Sequence, residues 1–338
     1  MRIEENVSLR MYNTFGIDVA ARHFSVFSSL GDIQEILEDA AYKQTDPLIL
    51  GGGSNVLFTQ NVERPVMLNR LKGIELVGED ESHYFVKAAA GEVWHQFVMH
   101  CIKREYAGVE NLSLIPGSVG ASPMQNIGAY GVEIKDVFHS LEAFHIHDKI
   151  VKEFNATECS FGYRESVFKR AQKDQWIILS VTFRLLKRPV FRTEYGAIQE
   201  ELDKMNPEKM SIKAVSQAVI AIRSSKLPDP KVLGNAGSFF KNPVVPMDVA
   251  NAIRQAYPNV PVYPIDEQTA KVPAGWLIEQ AGWKGKKLEH CGVHDKQALV
   301  LVNHNQATGK EIYDLSTAIV NDIQAKFGVE LEREVNIY

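Results

Sequence analysis

The chain has 338 residues, more than a single hydrophobic core usually serves, so we expect two or three domains. Hydrophobic residues make up 45% and charged residues 23%, which is ordinary for a globular protein with a core of normal size. A formal net charge of −5 argues against a nucleic-acid-binding surface and against a polybasic membrane surface, because phosphate groups would repel it.

The N-terminal segment and the cysteines bear on the cellular compartment. Residues 1–16 are polar and acidic, where a signal peptide would need an apolar core, so export is not expected. Cys101, Cys159 and Cys291 are widely separated, which predicts neither a disulfide framework nor a CxxC metal site. Together these features predict a protein of the reducing cytoplasm.

The first predicted elements are one helix and two short strands. Apolar residues at helical spacing predict a helix over residues 29–43, with Ser29 and Asp32 as a capping pair at its start. Apolar runs predict buried strands at residues 48–50 and 65–68. The helix is expected to pack on the sheet that contains these strands.

A glycine segment, Gly51-Gly52-Gly53-Ser54-Asn55, follows the first of these strands. Only residues 56–64 separate it from the next strand, which leaves no room for the crossover helix of a Rossmann unit. Val56 also stands where the Rossmann fingerprint needs its third glycine. The segment is therefore a poor dinucleotide fingerprint.

A second group of predicted elements surrounds the middle of the chain. Residues 83–89 read as a strand, and residues 91–105 as a helix that stops near Gly108. Residues 137–146 alternate as a strand, and residues 176–185 are apolar and β-branched enough for a central strand.

The stretch from Asn111 to Val132 carries no charged side chain, and glycines and prolines interrupt it too often for a membrane-spanning helix. We predict a buried, irregular loop. Glycines let the backbone come close to a bound group, and successive N–H groups can hold phosphate oxygens without a positive side chain. This combination suits a large, flat, partly anionic cofactor, whereas the residues alone also allow a purely structural loop.

The C-terminal part reads as a mixed α/β unit. The chain turns polar and helical from residue 188 to 207, with a turn at Glu194-Tyr195-Gly196, and we place the main domain boundary near there. Helices are predicted over residues 211–225, 249–257, 274–282 and 310–327, with a strand at 298–303.

Two of these segments carry a resemblance to a known family. Gly51-x-Gly53-Ser54-Asn55, Ile115-Pro116-Gly117-x-x-Gly120 and Gln125-Asn126-x-Gly128-Ala129-Tyr130-Gly131 resemble the FAD-binding loops of UDP-N-acetylenolpyruvoylglucosamine reductases. The match continues at Phe161-Gly162-Tyr163-Arg164, at Gly234–Pro243 and at Glu334. It follows the family's order over nearly the whole chain.

The resemblance implies an α+β fold. It consists of a two-lobed FAD-binding domain of the vanillyl-alcohol-oxidase (PCMH) type, followed by a C-terminal α/β substrate domain. The expected boundaries are residues 1–70 for the first lobe, 71–208 for the second and 209–338 for the substrate-binding domain. The last strand, near Glu334, is expected to return toward the flavin.

The resemblance also implies the reaction. NADPH would reduce FAD and leave, and UDP-N-acetylglucosamine enolpyruvate would then bind in the same pocket and be reduced to UDP-N-acetylmuramate for peptidoglycan. A cytoplasmic monomer with a small-molecule substrate is expected, without nucleic acid or membrane. A flavin oxidase on the same scaffold and a non-catalytic nucleotide-sugar binding protein are the alternatives.

Three residues match the family's catalytic positions. Ser238 would donate a proton to the substrate, while Arg164 and Glu334 would stabilise the negative charge next to its carboxylate. From the residues alone, Ser238 could be a turn serine, Arg164 a surface ion pair with Glu165 or Glu158, and Glu334 a solvated strand edge. Arg333 departs from the family, where proline is common at this place.

The remaining implied site residues fall into two sets. The cofactor set is Gly51, Gly53, Ser54, Asn55, Ile115, Pro116, Gly117, Gly120, Ser122, Gln125, Asn126, Gly128, Ala129, Tyr130 and Arg223, the last beside the flavin ring. The substrate set is Tyr163, Tyr195, Lys226, Asn242 and Gln297. Tyr195 marks the subgroup in which a tyrosine-bearing loop closes over substrate. From the residues alone, Lys226 could be a solvated lysine, Asn242 a turn asparagine and Tyr195 a tyrosine with its ring in the core and its hydroxyl exposed.

Two histidine spacings could suggest a metal site. They are His145-x-His147, and His290-x-x-x-His294 with Cys291 between them. No third ligand is apparent for the first, and core or surface histidines are the usual case, so we predict no metal. No Walker glycine-lysine motif occurs, which argues against ATP chemistry.

Overall fold

The computed structural model describes residues 2–43, 45–304 and 306–338. Its strands are β1 (Glu4–Ser8), β2 (Ala20–Phe27), β3 (Leu48–Leu50), β4 (Val56–Leu57), β5 (Val66–Asn69), β6 (Ile74–Glu79), β7 (His83–Ala89), β8 (Gly128–Ala129), β9 (Val132–Glu133), β10 (Phe138–His145), β11 (Val151–Asn155), β12 (Trp176–Leu186), β13 (Val244–Pro246), β14 (Tyr263–Pro264), β15 (Thr269–Lys271), β16 (Cys291–Val293), β17 (Leu301–Asn303) and β18 (Asn336–Ile337). Its α-helices are α1 (Leu30–Glu38), α2 (Ala40–Lys43), α3 (Trp94–Lys103), α4 (Ile134–Val137), α5 (Ala156–Cys159), α6 (Gly196–Met205), α7 (Ile212–Lys226), α8 (Met247–Ala256), α9 (Ala274–Gln280) and α10 (Gly309–Phe327).

The chain divides into two compact units, and each is discontinuous in sequence. The first unit comprises Met1–Val7, Ala21–Gly52 and Val62–Ser225. The second comprises Ser8–Ala20, Gly53–Asn61 and Lys226–Tyr338. The expected domain boundaries after residues 70 and 208 stay a prediction.

Two sheets form the frame of the first unit. In one, with strand order β1-β2-β5-β3, β5 pairs in parallel with both β2 and β3. In the other, with order β11-β10-β12-β7-β6, every neighbouring pair is antiparallel. The prediction that residues 176–185 form a central strand is confirmed, since β12 is paired on both sides and Ile177, Val181 and Phe183 are fully buried.

Helices cover these sheets with their apolar faces. Trp94, Phe97 and Val98 of α3 are fully buried in the same core cluster as Phe183 of β12. Full burial of such a side chain contributes roughly 1.5–3 kcal/mol. Helices α6 and α7 share a separate small core that includes Ile198 and Leu202.

A third core holds the second unit together, and α10 contributes most of one face to it. Ile312, Leu315, Ile319 and Ile323 of α10 are buried at the spacing that the sequence predicts. The helix begins at a capping box with Thr308 as its N-cap and ends at Gly328, whose φ of 68° lies in the left-handed region. Around it lie the small sheet β13-β15-β14, the hairpin β16-β17, and β18 paired in parallel with β4.

Several predicted elements differ from the observed ones at their ends. The helix predicted over 29–43 is broken at Asp39, whose ψ of 144° is extended, and Asp39 then accepts a hydrogen bond from Ala41 N. The helix predicted from residue 91 begins only at Trp94, because the backbone before it pairs with the central loop. The strand predicted from 298 begins at Leu301, since Val300 N donates to Gln297 O in a turn.

The central stretch is irregular, as predicted, but its burial is uneven. It contains two short 3-10 turns, Glu110–Leu112 and Val119–Ala121, and the two-residue strands β8 and β9. Ser122 and Asn126 are buried, while Ala121 and Met124 are exposed. The prediction of a buried loop therefore holds for residues such as Ser122 and Asn126 but is wrong at Ala121 and Met124.

Candidate active site

In the first unit, Gly52 of the first glycine segment lies against Gly117 of the central stretch. A Cβ atom built on Gly52 would be 3.0 Å from Gly117 Cα, so only glycine permits this approach of the two backbones. A Cβ on Gly120 would lie 2.5 Å from Ala90 Cβ, which places the second loop equally close to the segment before α3. The two loops that resemble a flavin site thus form one surface.

Backbone hydrogen bonds fix the second loop along the segment that leads into α3. Val119 N donates to Glu92 O at 2.8 Å, Gly120 N to Ala90 O at 2.9 Å, and Trp94 N to Gly117 O at 3.0 Å. The N–H groups of Val119 and Gly120 are therefore used within the protein. Gly120 is needed for close packing. Fewer backbone N–H groups of this loop are therefore left to bind a ligand than the sequence suggested.

The end of the central stretch is tied to the segment that carries Arg164. Asn126 Nδ2 donates to Gly162 O at 2.9 Å, and Ser166 Oγ donates to Met124 O at 2.6 Å. Arg164 Nη2 donates to Gly128 O at 2.8 Å. Arg164 has a φ of 56°, a conformation that a non-glycine residue adopts only when its surroundings hold it. The structure therefore brings Arg164 to the predicted flavin loop.

Arg223 of α7 is a half-buried cation in the first unit. Burial lowers the pKa of Arg223 and raises the pKa of Tyr130, and the interaction between the two side chains opposes both shifts. Arg223 Nε is buried and has no hydrogen-bond partner among the described residues. A buried donor of this kind calls for an acceptor from a ligand, and an electron-rich edge of FAD fits that need.

Tyr195 and Tyr130 meet in the same unit. Their rings are 5.9 Å apart and nearly perpendicular, at 86°. Tyr195 is the N-cap of α6 and is 59% exposed, so its hydroxyl end is accessible. Tyr163 lies under the guanidinium of Arg164 at 5.4 Å.

In the second unit, Ser238 and Glu334 lie on neighbouring backbone segments. Ser238 pairs with Val300, and Phe239 N donates to Leu299 O at 2.8 Å. Glu334 N donates to Phe239 O, also at 2.8 Å. The tertiary fold thus joins two catalytic candidates that are almost a hundred positions apart in sequence.

The segment that carries Glu334 has two further anchors. Asn55 Nδ2 donates to Glu334 O at 3.2 Å, so a residue of the first glycine segment holds the C-terminal segment. Arg333 donates from Nε to Ser316 Oγ at 2.8 Å and from Nη2 to Thr317 Oγ1 at 2.7 Å. Arg333, which departs from the family pattern, is therefore an anchor on α10, and this role could not be inferred from the sequence.

Two predicted substrate residues lie beside the start of α9. Asn242 Oδ1 accepts a hydrogen bond from Ala274 N at 3.0 Å. Gln297 lies close to the backbone of Gly275, since a Cβ on Gly275 would be 3.3 Å from Gln297 Oε1. The same oxygen accepts a hydrogen bond from Leu299 N. Lys226, the last residue of α7, is exposed. Asn242 thus uses its side-chain oxygen to hold the start of α9, and its side-chain NH₂ group is the part that can bind other partners.

The histidine pairs have other partners in the structure. His145 lies 3.0 Å from Asp148, His147 lies 3.1 Å from Asp46, and His290 Nδ1 lies 2.8 Å from Glu311 Oε1. Among residues 2–43, 45–304 and 306–338, no group of three or more His, Cys, Asp or Glu side chains is placed to hold a metal ion. No described helix has the length and apolar character needed to cross a membrane.

Known proteins resemble the chain along its whole length. Residues 22–152 match an FAD binding domain, and residues 229–338 match the C-terminal domain of UDP-N-acetylenolpyruvoylglucosamine reductase. The UDP-N-acetylenolpyruvoylglucosamine reductase of Amoebophilus asiaticus is 50% identical over 337 residues, which covers 100% of this chain and 99% of the relative. That of Flavobacterium johnsoniae is 49% identical over 338 residues and covers 100% of both chains.

Solved structures agree in fold. The UDP-N-acetylenolpyruvylglucosamine reductase of Thermus caldophilus superposes with a TM-score of 0.69 at 23% identity, covering 100% of this chain and 99% of that one. A 4-ethylphenol oxidase from Gulosibacter chungangensis gives a TM-score of 0.53 at 11% identity, covering 98% and 84%. The predicted fold class is confirmed.

The sequence matches confirm the predicted cofactor and enzyme class. The FAD-binding match covers the first glycine segment and the central stretch, whose packing the structure shows. Because relatives near 50% identity cover the chain from end to end and both family matches occur in order, the chain belongs to the UDP-N-acetylenolpyruvoylglucosamine reductase family, FAD-dependent oxidoreductases of peptidoglycan precursor synthesis.

Proposed function

We propose that the chain uses NADPH to reduce UDP-N-acetylglucosamine enolpyruvate to UDP-N-acetylmuramate, with Ser238 as proton donor. The observation that carries this proposal is the hydrogen bond from Glu334 N to Phe239 O at 2.8 Å, which sets Glu334 beside the residue that follows Ser238. When bound, FAD supplies the hydride transfer between NADPH and the methylene carbon of the substrate.

Hydride addition to the methylene carbon leaves negative charge on the adjacent carbon and its carboxylate, and the side chains of this chain must manage that charge. Arg164 donates to the carboxylate as a fixed, delocalised cation. Glu334, held protonated or paired with Arg164, completes the stabilisation of the charge, and the Ser238 hydroxyl delivers a proton to the carbon. Because a serine hydroxyl is a weak acid, this transfer depends on the developing negative charge and on positive charge nearby.

The remaining assignments concern binding. Lys226 would pair with the diphosphate as a point charge, and Asn242 and Gln297 would hold the nucleotide sugar. Tyr195 would close over the substrate with Tyr163 below. Arg223 would lie beside the flavin ring, where its buried Nε is a ready donor.

We also propose a cytoplasmic monomer whose FAD-binding lobes end near residues 70 and 208. Three buried free thiols, Cys101, Cys159 and Cys291, favour a reducing compartment. Size-exclusion chromatography with light scattering tests the monomer, and limited proteolysis near residue 208 tests that boundary.

Anaerobic stopped-flow measurements on Ser238→Ala test the mechanism. NADPH should bleach the flavin absorbance of the variant nearly as fast as that of wild type. Reoxidation by the enolpyruvyl nucleotide should be about 10²–10⁴-fold slower, because general acid catalysis contributes about that factor. Ser224→Ala, on the exposed end of α7, is the control and should behave as wild type.

Three outcomes would contradict parts of this proposal. Reoxidation of Ser238→Ala at the wild-type rate would remove Ser238 as proton donor. A wild-type enzyme that the nucleotide does not reoxidise would refute the substrate. Stoichiometric hydrogen peroxide that does not depend on the nucleotide would indicate a flavin oxidase instead.

A further inference from the structure

His95, in the first turn of α3, accepts a hydrogen bond from the central stretch. Its Nδ1 lies 3.0 Å from Leu114 N. A backbone N–H can only donate, so Nδ1 carries no proton, and the imidazole is neutral with its hydrogen on Nε2. The contact with Leu114 N–H therefore fixes the tautomer of His95.

Leu114 is the residue that this contact holds. Its φ is 59°, in the left-handed region that a non-glycine side chain adopts only at a cost of roughly 1–2 kcal/mol. The two residues just before it are also held, since Leu112 O accepts from Trp94 Nε1 at 2.9 Å, and Ser113 Oγ lies 2.8 Å from Ser216 Oγ of α7. Ile115, the next residue, begins the predicted flavin loop. His95 thus fixes the strained residue from which that loop starts.

The charge around His95 opposes its protonation. Burial and the positive charge of Arg223 on α7 both lower the pKa of His95. Arg223 itself interacts with Tyr130, which opposes the lowering of the Arg223 pKa by burial. On the segment that leads to His95, Glu92 accepts from Gly73 N at 2.8 Å and pairs with Lys72 at 3.3 Å.

We propose that His95 is a positioning residue for FAD, which holds the flavin loop only while its imidazole is neutral and releases FAD when it is protonated. Protonation would place a hydrogen on Nδ1 facing Leu114 N–H, so the contact would be lost and a second cation would stand near Arg223. This inference rests on the proposed assignment of residues 115–120 to the flavin.

The direction of the pH effect follows from the lowered pKa. In the folded chain, burial and Arg223 hold the pKa of His95 below its ordinary value of 6.5, and in this proposal FAD release frees the ring, so that its pKa returns toward that value. FAD retention is therefore complete above about pH 6.5 and falls as the pH drops below that value.

The test is FAD release from diluted holoenzyme, followed by the rise of flavin fluorescence between about pH 5 and pH 8. In His95→Asn, Oδ1 can take the place of Nδ1 and does not titrate. Its release should match wild type at high pH within about threefold and lack the acid-dependent increase. In His95→Leu, Leu114 N–H loses its acceptor, so FAD should be held roughly tenfold more weakly at every pH.

His100→Asn is the matched control on the same helix and should keep the wild-type profile. Acid-dependent release from His95→Asn that equals wild type would overturn the proposal, as would wild-type retention by His95→Leu. Gly120→Ala distinguishes a failure of the flavin-loop assignment from a failure of the role of His95. If Gly120→Ala retains FAD as wild type does, the loop assignment is wrong, whereas if it releases FAD and His95→Leu does not, only the role of His95 is wrong.

Discussion

The two units hold their site residues by different means. In the first unit, Arg164, Asn126 and His95 are fixed by side-chain hydrogen bonds to an irregular backbone whose loops touch at glycines. In the second unit, Ser238 and Glu334 are fixed by backbone pairing of extended segments. The arrangement in the first unit depends on particular side chains and on glycines, which have no Cβ atom. The arrangement in the second unit depends mainly on the register in which the extended segments pair.

This difference predicts unequal sensitivity to substitution. A change of side chain in the first unit removes a positioning contact directly. A change in the second unit must disturb an anchor before it reaches the extended segments. Three substitutions test that contrast, in order of decreasing expected effect.

Gly120→Ala should have the largest effect. The new Cβ would lie 2.5 Å from Ala90 Cβ, so the loop backbone has to move. We expect the free energy of unfolding, measured with urea, to fall by about 1–3 kcal/mol, and FAD release to become faster. Gly78→Ala is the control, because the atom nearest its Cβ is a ring carbon of Phe85 at 3.9 Å. Equal stability of the two variants would refute the tight packing of the first unit's loops.

Arg333→Met should have an intermediate effect confined to the second unit. The substitution keeps an apolar stem but removes the hydrogen bonds to Ser316 and Thr317. We expect about 1–2 kcal/mol less unfolding free energy and slower reoxidation by the nucleotide, with FAD retention unchanged. Lys310→Met removes only an exposed pair with Asp314 and serves as the control. Loss of FAD from Arg333→Met would contradict the separation of the two regions.

His290→Gln should have the smallest effect and should act through pH. The hydrogen bond to Glu311 raises the pKa of His290, and the same bond is the main cause that lowers the pKa of Glu311 to about 2. The stability contributed by His290 is therefore present below its ordinary value of 6.5 and is lost as the pH rises through the raised pKa.

In thermal melts from about pH 6 to pH 9, wild type should lose a little stability as the pH rises, and His290→Gln should not. His294→Gln is the control, because burial lowers the pKa of His294, so its removal leaves that decline in place. A decline that persists in His290→Gln would show that the pair with Glu311 contributes nothing to the cap of α10.

The sequence predicted several regular elements well where the buried face has a clear apolar period, although it did not predict β2. Helix α10 and strand β12 have clear apolar periods and were placed nearly to the residue. Strands β6 and β11 were missed, because both are edge strands with mostly exposed residues and lack a buried face that would mark them. The break at Asp39 was also missed, since the apolar spacing continues across it.

The sequence by itself determined the family, the cofactor and the identity of the candidate residues, because local motifs and their order along the chain are written in it. Only the tertiary structure decided which of them meet. The contacts of Asn55 with Glu334, of Glu334 with Phe239 and of Arg223 with Tyr130 join residues far apart in the chain. The neutral tautomer of His95 likewise follows from a distant N–H. Such pairings depend on how whole elements pack, and no short-range pattern encodes them.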